Sequence, residues 1–534
     1  MRILPSGPRA RLVEHADPVG YAAGVRAADL PGLVDAIPAE RTVLVTFDRD
    51  VPEASLRAIT PLPQAGGPGS VAEIPVAYDG EDLHAVAEAV GLTPAEVIAA
   101  HAGSAYTVAF CGFSPGFAYL RGLDPRLHVP RRDTPRARVP AGSLAIAAGY
   151  SAVYPLASPG GWHLLGRTDV TLFDPDRAHP ALLTPGMGVR FVPVDQVAPR
   201  DDSLWPGGSA KPPLSGWLGG SAKPPLSGWL GGSAKPPLSG WRERPASPDG
   251  AVVEILDPGP LTLMQALGRP GLGDIAVSDS GAFDRAAHRL ANRIVGNPEA
   301  AATLEAIGGG LTVRALRYCV IAVTGAQGPL TVDGRPVDRR SPLPLSPGEV
   351  VRLGTPAAGL RSYLALRGGF ATPPVLGSRA HDTLSGLGPG PLESGSTFAP
   401  LAEGEPILVD HVPAPPLPSA VGLRLHPGPR HDRLTDEGRA ALERGEYTVA
   451  QESNRIGVRL SGPAVVLTDA DPLASEGVIR GSVQVPPDGQ PVVLGPDHPV
   501  TGGYPVVGVV DGNDVDRLGQ APPGTPVRFT LVGW

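Results

Sequence analysis

Residues 106–120 contain the first group whose types and spacing match a catalytic motif. The pentapeptide G-F-S-P-G at 112–116 has the Gly-x-Ser-x-Gly form of a nucleophile elbow, with Ser114 at its centre. An elbow requires a helix directly after the serine, so that the hydroxyl lies at a helix N-terminus. Here Pro115 and Gly116 follow at once and no helical pattern begins. The sequence therefore favours a tight turn lined by aromatic residues over a catalytic serine.

Arginine is concentrated a few residues further on. Five arginines surround a single acid, Asp133, and they are Arg126, Arg131, Arg132, Arg136 and Arg138. Guanidinium groups bind phosphate or carboxylate through two parallel hydrogen bonds. Gly142 and Ser143 follow closely and can offer backbone N–H groups to the same anion. Two interpretations stay open, a solvated basic loop and an anion-binding site.

Short strands and turns must position these residues. The 534 residues include 70 glycines and 65 prolines, which favour many turns over long helices. The pattern predicts a half-buried strand at 41–47 and another at 170–173 that closes a sheet. It predicts an edge strand at 71–78, because Pro75 cannot donate to a ladder.

Helix signals are few and local. Thr93 and Glu96 have the spacing of a capping box that opens a helix to about residue 101. Thr435 predicts a helix at 436–444 in the same way, and Asn297 predicts one that reaches about residue 307.

Composition narrows the class of protein. The net charge of −8 gives no attraction to nucleic acid or to an anionic membrane. No apolar run approaches the roughly 18 residues of a membrane span, and the first residues lack the apolar core of a secretory signal. The two cysteines, Cys111 and Cys319, lie far apart, which favours a reduced compartment. We expect a cytoplasmic protein with no nucleic-acid partner, no membrane partner and no metal site.

Lysine usage excludes several chemistries. All three lysines, Lys211, Lys223 and Lys235, lie in one repeated segment. A P-loop needs a lysine amine at the phosphates, and Schiff-base catalysis needs one on a folded scaffold. Biotin is attached through a lysine amide, so we expect no biotin attachment in this chain.

That repeated segment divides the chain. The sequence G-G-S-A-K-P-P-L-S-G-W occurs at 207–217, 219–229 and 231–241. Its Gly-Gly and Pro-Pro pairs interrupt helices and strands, so a tether is favoured over a docking peptide for a partner groove. We predict a small α+β domain at 1–80, barrels at 81–200, 251–405 and 406–534, and a linker at 201–250.

The motif blocks on either side of the linker resemble known family signatures. In the first half these are G-F-S-P-G-F at 112–117, T-P-R at 134–136, V-P-A-G-S at 139–143 and S-P-G-G-W at 158–162. In the second half they are L-G-R at 267–269, S-G-A-F-D at 280–284, A-N-R at 291–293, G-N at 296–297, S-N-R at 453–455 and blocks within 484–504. The first half resembles the B subunit of bacterial ATP-dependent 5-oxoprolinase, also known as KipI. The second half resembles the C subunit of the same enzyme, also known as KipA.

The resemblance implies a fold and a function. The fold is mainly β, with cyclophilin-like β-barrels behind a small α+β domain. The halves are expected to associate within the chain and to act with a separate A subunit. That assembly opens the lactam of 5-oxo-L-proline to L-glutamate and uses ATP with magnesium.

The resemblance also supplies candidate site residues. Arg136, Asp284 and Arg455 are the candidates for a catalytic role. The expected substrate or anion ligands are Ser114, Gly116, Arg131, Arg136, Gly142, Ser143, Gly160, Gly161, Arg167, Gln265, Arg269, Ser280, Asn292, Arg430, Ser453, Asn454, Gln484, Gln490 and Thr501.

Two other functions stay open. Related modules form the carboxyltransferase part of urea carboxylase, which acts on a small amide. The first half also resembles an inhibitor of a histidine kinase, which implies a non-catalytic regulator. Ala266, Tyr150-Ser151 and His498-Pro499 depart from the usual family pattern, and an altered substrate is one meaning of these departures.

Overall fold

A computed structural model describes residues 1–63, 71–197, 250–408, 410–414, 419–468 and 473–534. The predicted linker lies outside the described residues, except for Gly250. The domain bounds given above therefore stay proposals.

The first region is a small α+β unit. Its strands are β1 (Arg2–Pro5), β2 (Ala10–Glu14), β3 (Leu33–Pro38) and β4 (Thr42–Phe47), and its helices are α1 (Pro18–Ala27) and α2 (Glu53–Arg57). The strands pair in the order β1-β2-β4-β3. Tyr21, Val25 and Leu56 of the helices pack with strand residues such as Val45 in one apolar core.

The second region is built on a seven-stranded sheet. Its strands are β5 (Val71–Val76), β6 (Tyr106–Cys111), β7 (Ala118–Arg121), β8 (Arg136–Val139), β9 (Ser143–Ala147), β10 (Tyr150–Val153), β11 (Ser158–Gly160), β12 (His163–Arg167) and β13 (Gly188–Pro193). The sheet order is β12-β9-β10-β7-β6-β13-β5, and β11 pairs separately with β8. Because β5 belongs to this sheet, a boundary before Val71 agrees better with the pairing than one at residue 80.

The two faces of this sheet carry different side chains. Side chains alternate along a strand, so Leu120 and Leu144 face one side while Tyr119 and Ala145 face the other. Helices α3 (Leu83–Val90) and α4 (Pro94–Ala102) cover the aliphatic face. A register shift after Val108 brings Phe110 to the aromatic face. The aromatic face is therefore left for a contact outside this region.

The third region packs two open sheets on one core. Its strands are β14 (Val253–Pro258), β15 (Leu261–Gln265), β16 (Thr303–Ile307), β17 (Leu311–Ala315), β18 (Cys319–Gln327), β19 (Leu330–Val332), β20 (Arg335–Pro336), β21 (Leu343–Leu345), β22 (Val350–Leu353), β23 (Ala358–Leu366) and β24 (Thr397–Phe398). The sheet orders are β20-β19-β22-β17-β14-β24 and β15-β16-β23-β18-β21. Ile255 of the first sheet and Leu304 of the second belong to the same buried cluster. Helix α5 (Arg285–Ile294) packs on β18 and β23.

The last region is a closed barrel. Its strands are β25 (Val421–Pro427), β26 (Tyr447–Val449), β27 (Gly457–Ser461), β28 (Glu476–Gly477), β29 (Ser482–Gln484), β30 (Val492–Leu494), β31 (Thr501–Gly502), β32 (Val506–Val510) and β33 (Pro526–Leu531). The barrel order is β25-β32-β29-β30-β27-β26-β33, while β28 pairs with β31. Helices α6 (Asp436–Arg444) and α7 (Gly512–Leu518) complete it. These sheets fit the expected barrel class.

Most local predictions are confirmed. The strand at 42–47, the edge strand at 71–76 and the helix at 436–444 all form, and Thr435 caps the last of them. The capping box at Thr93 and Glu96 has both of its hydrogen bonds. No strand forms at 170–173, where only an isolated bridge from Phe173 to Ala181 occurs, and β13 occupies the place between β6 and β5.

The helix predicted from Asn297 to residue 307 is wrong. The Asn297 side chain does not cap a helix, because it donates to the Leu366 carbonyl at 2.8 Å and accepts from the Gly368 N–H at 2.8 Å. Residues 303–307 form β16 between β15 and β23 instead. Long-range strand pairing therefore prevails over the local cap signal.

Over the part of the chain that the structure describes, no single helix has the length and apolar character needed to cross a membrane. Helices α3 and α4 pass that test only together, and a bend of 93° separates them.

Candidate functional site

A cavity of about 1490 Å³ lies where the first, second and last regions meet. The first region contributes residues at the end of β2 and around the β3–β4 turn, among them Glu14 and Glu40. The second contributes its aromatic face, and the last contributes Arg430, Arg433, Ile456 and residues from Leu473 to the segment after β31. Neither half of the chain encloses this space alone.

Five side chains of the second region form what we call the aromatic wall of the cavity. They are Phe110, Phe113, Tyr119, Tyr150 and Trp162. The Phe110 and Tyr119 rings stack with centroids 4.3 Å apart, and Trp162 meets Tyr119 edge-on at 5.5 Å. Because each ring is held by another, the wall presents a fixed apolar surface.

A polar part of the lining comes from the last region. Gln484, Thr501, Gly502, Gly503 and Tyr504 form it. The Gln484 amide donates to the Tyr504 carbonyl at 3.3 Å, which orients the side chain. The cavity therefore offers a ligand both aromatic rings and amide or hydroxyl groups.

An ion triad closes one side of the cavity. Arg430 forms a two-pronged pair with Glu476, and its Nη1 donates to Glu14 Oε1 of the first region at 3.1 Å. Burial raises the pKa of Glu476, and the Arg430 guanidinium opposes that shift. Both carboxylates already occupy the Arg430 donors, so the triad joins the two halves rather than leaving a free anion ligand.

The pentapeptide at 112–116 lies at the contact between the halves. A side chain at Gly112 would overlap the Thr501 hydroxyl. The Gly116 N–H donates to the Ile275 carbonyl at 3.2 Å, across the halves. No helix follows Ser114, whose backbone N–H instead bonds to Gly112 within the turn. The predicted tight turn is confirmed, and its glycines allow the close approach of the second half.

Acidic and basic groups add further contacts between the halves. The carboxylate of Asp35 accepts from the Gly273 N–H at 2.8 Å, and Arg26 pairs with Asp274 at 3.4 Å. Burial raises the pKa of Asp35 to about 6. These contacts agree with the expected association of the halves within the chain.

The arginine-rich loop divides into paired and cavity-facing residues. Arg132 and Arg136 both donate to Asp82 Oδ1, at 2.7 and 2.9 Å, and Arg126 pairs with Asp124 at 2.7 Å. Arg131 alone of the five lines the cavity. Three of the five arginines are thus paired with acidic side chains, and the anion-binding interpretation stays an expectation that applies to Arg131.

The three catalytic candidates lie away from the cavity lining. Arg136 holds Asp82, and Asp284 caps α5 by accepting from the Ala287 N–H at 2.8 Å. Burial raises the pKa of Asp284 to about 6. Arg455 is buried between the third and last regions, where it pairs with Glu305 at 2.6 Å and with Asp497 at 2.8 Å. The observed contacts of all three are structural.

The structure brings four of the expected ligands to the cavity, namely Arg131, Arg430, Gln484 and Thr501. Several others hold loops or strands through their own bonds; these are Arg167, Gln265, Arg269, Ser280, Asn292, Ser453, Asn454 and Gln490. The remaining ones lie in turns or strands of the second region, outside the lining: Ser114, Gly116, Gly142, Ser143, Gly160 and Gly161.

Sequence reasoning missed most of the lining. Glu14, Glu40, Glu476, Trp162 and Tyr504 carry no motif that marks them as site residues, although Trp162 and Tyr504 end glycine-rich blocks. Two departures from the family pattern fall on the lining, because Tyr150 belongs to the aromatic wall and Pro499 also lines the cavity. His498 itself is buried, with its Nδ1 2.8 Å from the Pro499 carbonyl.

Family models match both halves of the chain. The model described as carboxyltransferase domain, subdomain C and D, matches residues 1–183. The model described as carboxyltransferase domain, subdomain A and B, matches residues 275–531.

Named relatives divide in the same way. The chain is 34% identical over 280 residues to the C subunit of 5-oxoprolinase from Escherichia coli strain K12, covering 52% of this chain and 90% of that protein. It is 46% identical over 178 residues to the B subunit of 5-oxoprolinase from Escherichia coli O157:H7, covering 32% of this chain and 81% of that protein. Urea amidolyase of Saccharomyces cerevisiae is 29% identical over 308 residues, covering 53% of this chain and 17% of that protein.

A solved structure matches nearly the whole chain. The crystal structure of TTHA0988 superimposes with a TM-score of 0.82 at 32% identity, covering 98% of this chain and 100% of that one. The relative arrangement of the two halves therefore has a counterpart in a solved protein.

Proposed function

Because the chain belongs to the family of the B and C subunits of 5-oxoprolinase, whose carboxyltransferase domains resemble part of urea amidolyase, we propose that it is the fused B–C component of an ATP-dependent 5-oxoprolinase. In this proposal it converts 5-oxo-L-proline to L-glutamate together with a separate A subunit. The observation that carries the proposal is the cavity whose walls come from both halves.

The cavity chemistry suits a small cyclic amide. Ring opening by attack at the lactam carbonyl places negative charge on the amide oxygen, which fixed N–H and O–H donors stabilise. The Thr501 hydroxyl and the Gln484 amide supply such donors, and the aromatic wall offers an apolar surface to the ring. At about 1490 Å³ the cavity exceeds the roughly 300–1,000 Å³ of an ordinary small-molecule site. The additional space favours a second reactant or a segment of the A subunit.

Magnesium in nucleotide sites usually takes only one or two protein carboxylates, together with phosphates and water. No group of three His, Cys, Asp or Glu side chains among the described residues lies close enough together to hold a metal ion. The three lysines all lie in the 201–250 segment, which leaves arginine and backbone N–H groups as phosphate ligands. We assign no step to the nucleotide within this chain.

Reconstitution tests the proposal. The purified chain, mixed with an A subunit that is competent with other B and C subunits, should release L-glutamate and ADP from 5-oxo-L-proline and ATP. The same mixture lacking the A subunit, and one lacking 5-oxo-L-proline, are the controls. Absence of glutamate when the competent A subunit is present contradicts the proposal.

A second candidate is carboxyl transfer to an amide, which the carboxyltransferase family models favour. It requires a biotin carrier and a biotin carboxylase on other chains. Incorporation of labelled bicarbonate into urea, dependent on the carrier, would support this candidate. Glutamate formation without bicarbonate would support the first.

A further inference from the structure

The charge of Arg131 is distinctive among the arginines of its loop. Its side chain is exposed and lines the cavity, and it forms no ion pair with any residue that the structure describes. The neighbouring Arg132 is neutralised by Asp82 at 2.7 Å. A guanidinium stays protonated at any physiological pH, so Arg131 places a permanent positive charge in the cavity.

The backbone on both sides of Arg131 is fixed next to Trp162. The Arg132 N–H donates to the Gly161 carbonyl at 2.9 Å, and the His163 Nε2 lies 3.0 Å from the Pro130 carbonyl. The residues before and after Arg131 are thus held to the residues before and after Trp162. This arrangement fixes the Arg131 backbone beside Trp162 of the aromatic wall, and the Arg131 side chain lines the same cavity.

The Arg131 charge acts on tyrosines of both halves. Burial raises the pKa of Tyr119 and of Tyr504, and the Arg131 charge opposes the rise in both cases. Tyr119 belongs to the second region and Tyr504 to the last. Arg41 also lines the cavity without an ion pair among the described residues, but it has no comparable effect on these tyrosines.

We propose that Arg131 binds the carboxylate of the substrate, and that the cavity therefore selects small cyclic amides that carry an acid group over neutral amides such as urea. The flat amide ring lies against the aromatic wall, and the amide group faces Gln484 and Thr501. A guanidinium next to an apolar wall suits a ligand that joins an anionic end to a flat ring. The assignment rests on the proposed function, because it takes this cavity as the substrate site.

The test compares two probes of similar shape, one with a carboxylate and one with a neutral carboxamide in its place. They are 5-oxo-L-proline and its neutral carboxamide, 5-oxo-L-prolinamide, with urea as a third ligand. Binding to the purified full chain is measured by calorimetry, and KM and kcat are measured in the presence of the A subunit. Arg131→Met should raise the Kd and the KM for 5-oxo-L-proline by about 10- to 100-fold, with a smaller change in kcat. The same variant should leave the carboxamide affinity within about twofold, and Arg131→Lys should recover part of the loss.

Control variants separate a local effect from a general one. Arg126→Met removes an exposed charge from the same loop and should change the affinity for neither probe. Arg41→Met removes a second cavity-lining arginine without an ion pair among the described residues and should have the smaller effect. An equal loss in Arg41→Met, or an equal loss for both probes in Arg131→Met, overturns the assignment.

Failure of the assignment is distinguishable from failure of the proposed function. Turnover of 5-oxo-L-proline that Arg131→Met leaves unchanged overturns the assignment and supports the function. Carboxylate-dependent binding that requires Arg131, without turnover, supports the assignment and contradicts the function. If the wild-type chain neither binds nor turns over 5-oxo-L-proline, both are contradicted.

Discussion

Arg430 and Arg455 each lie between two carboxylates, and their surroundings differ. Arg430 joins Glu476 and Glu14 at the edge of the cavity between the halves. Arg455 joins Glu305 and Asp497 in the interior of the second half. Glu14 is 28% exposed, whereas Glu305 and Asp497 have no exposure.

The Arg455 network stabilises the fold, whereas the Arg430 network borders the cavity. Burying charged groups costs desolvation energy, which only complete hydrogen bonding offsets. All groups of the Arg455 network are therefore engaged with one another and none is available to a ligand. The Arg430 triad is partly solvated and spans the two halves, so it can respond to how the halves dock. The family motif S-N-R at 453–455 contains Arg455, but the motif alone did not show whether this arginine stabilises the fold or binds a ligand.

The largest effect is expected from Arg455→Met. Removing this guanidinium leaves the buried Glu305 and Asp497 without their nearest cation, with only Arg361 still 3.6 Å from Glu305, which should lower the free energy of unfolding by about 3–5 kcal/mol. Urea unfolding followed by circular dichroism measures it. Arg528→Met is the matched control, because Arg528 pairs with Glu446 on the surface of the same barrel. A change in the control as large as that in Arg455→Met would contradict the distinction.

Arg430→Met should lower the free energy of unfolding by a smaller amount, about 2–3 kcal/mol, because Glu14 stays in contact with solvent. The unpaired Glu476 should account for most of the loss, so Arg430→Met combined with Glu476→Gln should recover part of the stability. A double-mutant cycle on the unfolding free energy measures the coupling. Strictly additive losses would show that Arg430 and Glu476 are not energetically coupled.

A third prediction concerns steric fit between the halves. Gly112→Ala places a methyl group on the Thr501 hydroxyl and should weaken docking by about 1–3 kcal/mol. Combining it with Thr501→Ala should restore the contact. The radius of gyration from small-angle X-ray scattering reports the docking, and Gly503→Ala, with no described atom near the added methyl, should leave it unchanged. An unaltered radius and stability in Gly112→Ala would show that the close approach is unimportant.

Features that depend on neighbouring residues could be predicted from the sequence, whereas features that depend on long-range contacts could not. The turn at 112–116 and the capping box at Thr93 depend on neighbouring residues, and both were predictable. The Arg430–Glu14 pair joins residues 416 positions apart, which no local pattern encodes. Asn297 shows the same limit, because its side chain bonds to the distant strand β23 and does not cap the helix that the local pattern predicted. The sequence showed the aromatic residues near residue 113. It did not show that they line a cavity, because that cavity is completed by the second half of the chain.

The smallest effect concerns the pH dependence of the contact between the halves. Burial raises the pKa of Asp35 from its ordinary value of 3.8 to about 6. Between about pH 4 and pH 6 the native protein binds a proton that the unfolded chain has lost, so stability should fall as the pH rises through this window. Asp35→Asn keeps an oxygen for the Gly273 N–H and should remove about 1–3 kcal/mol of that fall.

Thermal unfolding of Asp35→Asn at several pH values from 4 to 8 gives the measurement. Asp284→Asn is the matched comparison, because burial raises the pKa of Asp284 to the same value of about 6 inside the second half. If the two regions respond separately, Asp35→Asn should flatten the pH dependence of docking, seen by scattering, while Asp284→Asn should flatten only that of unfolding. Identical responses in both readouts would show that the halves unfold and separate as one unit, and the distinction between the two arginine networks would then be one of position alone.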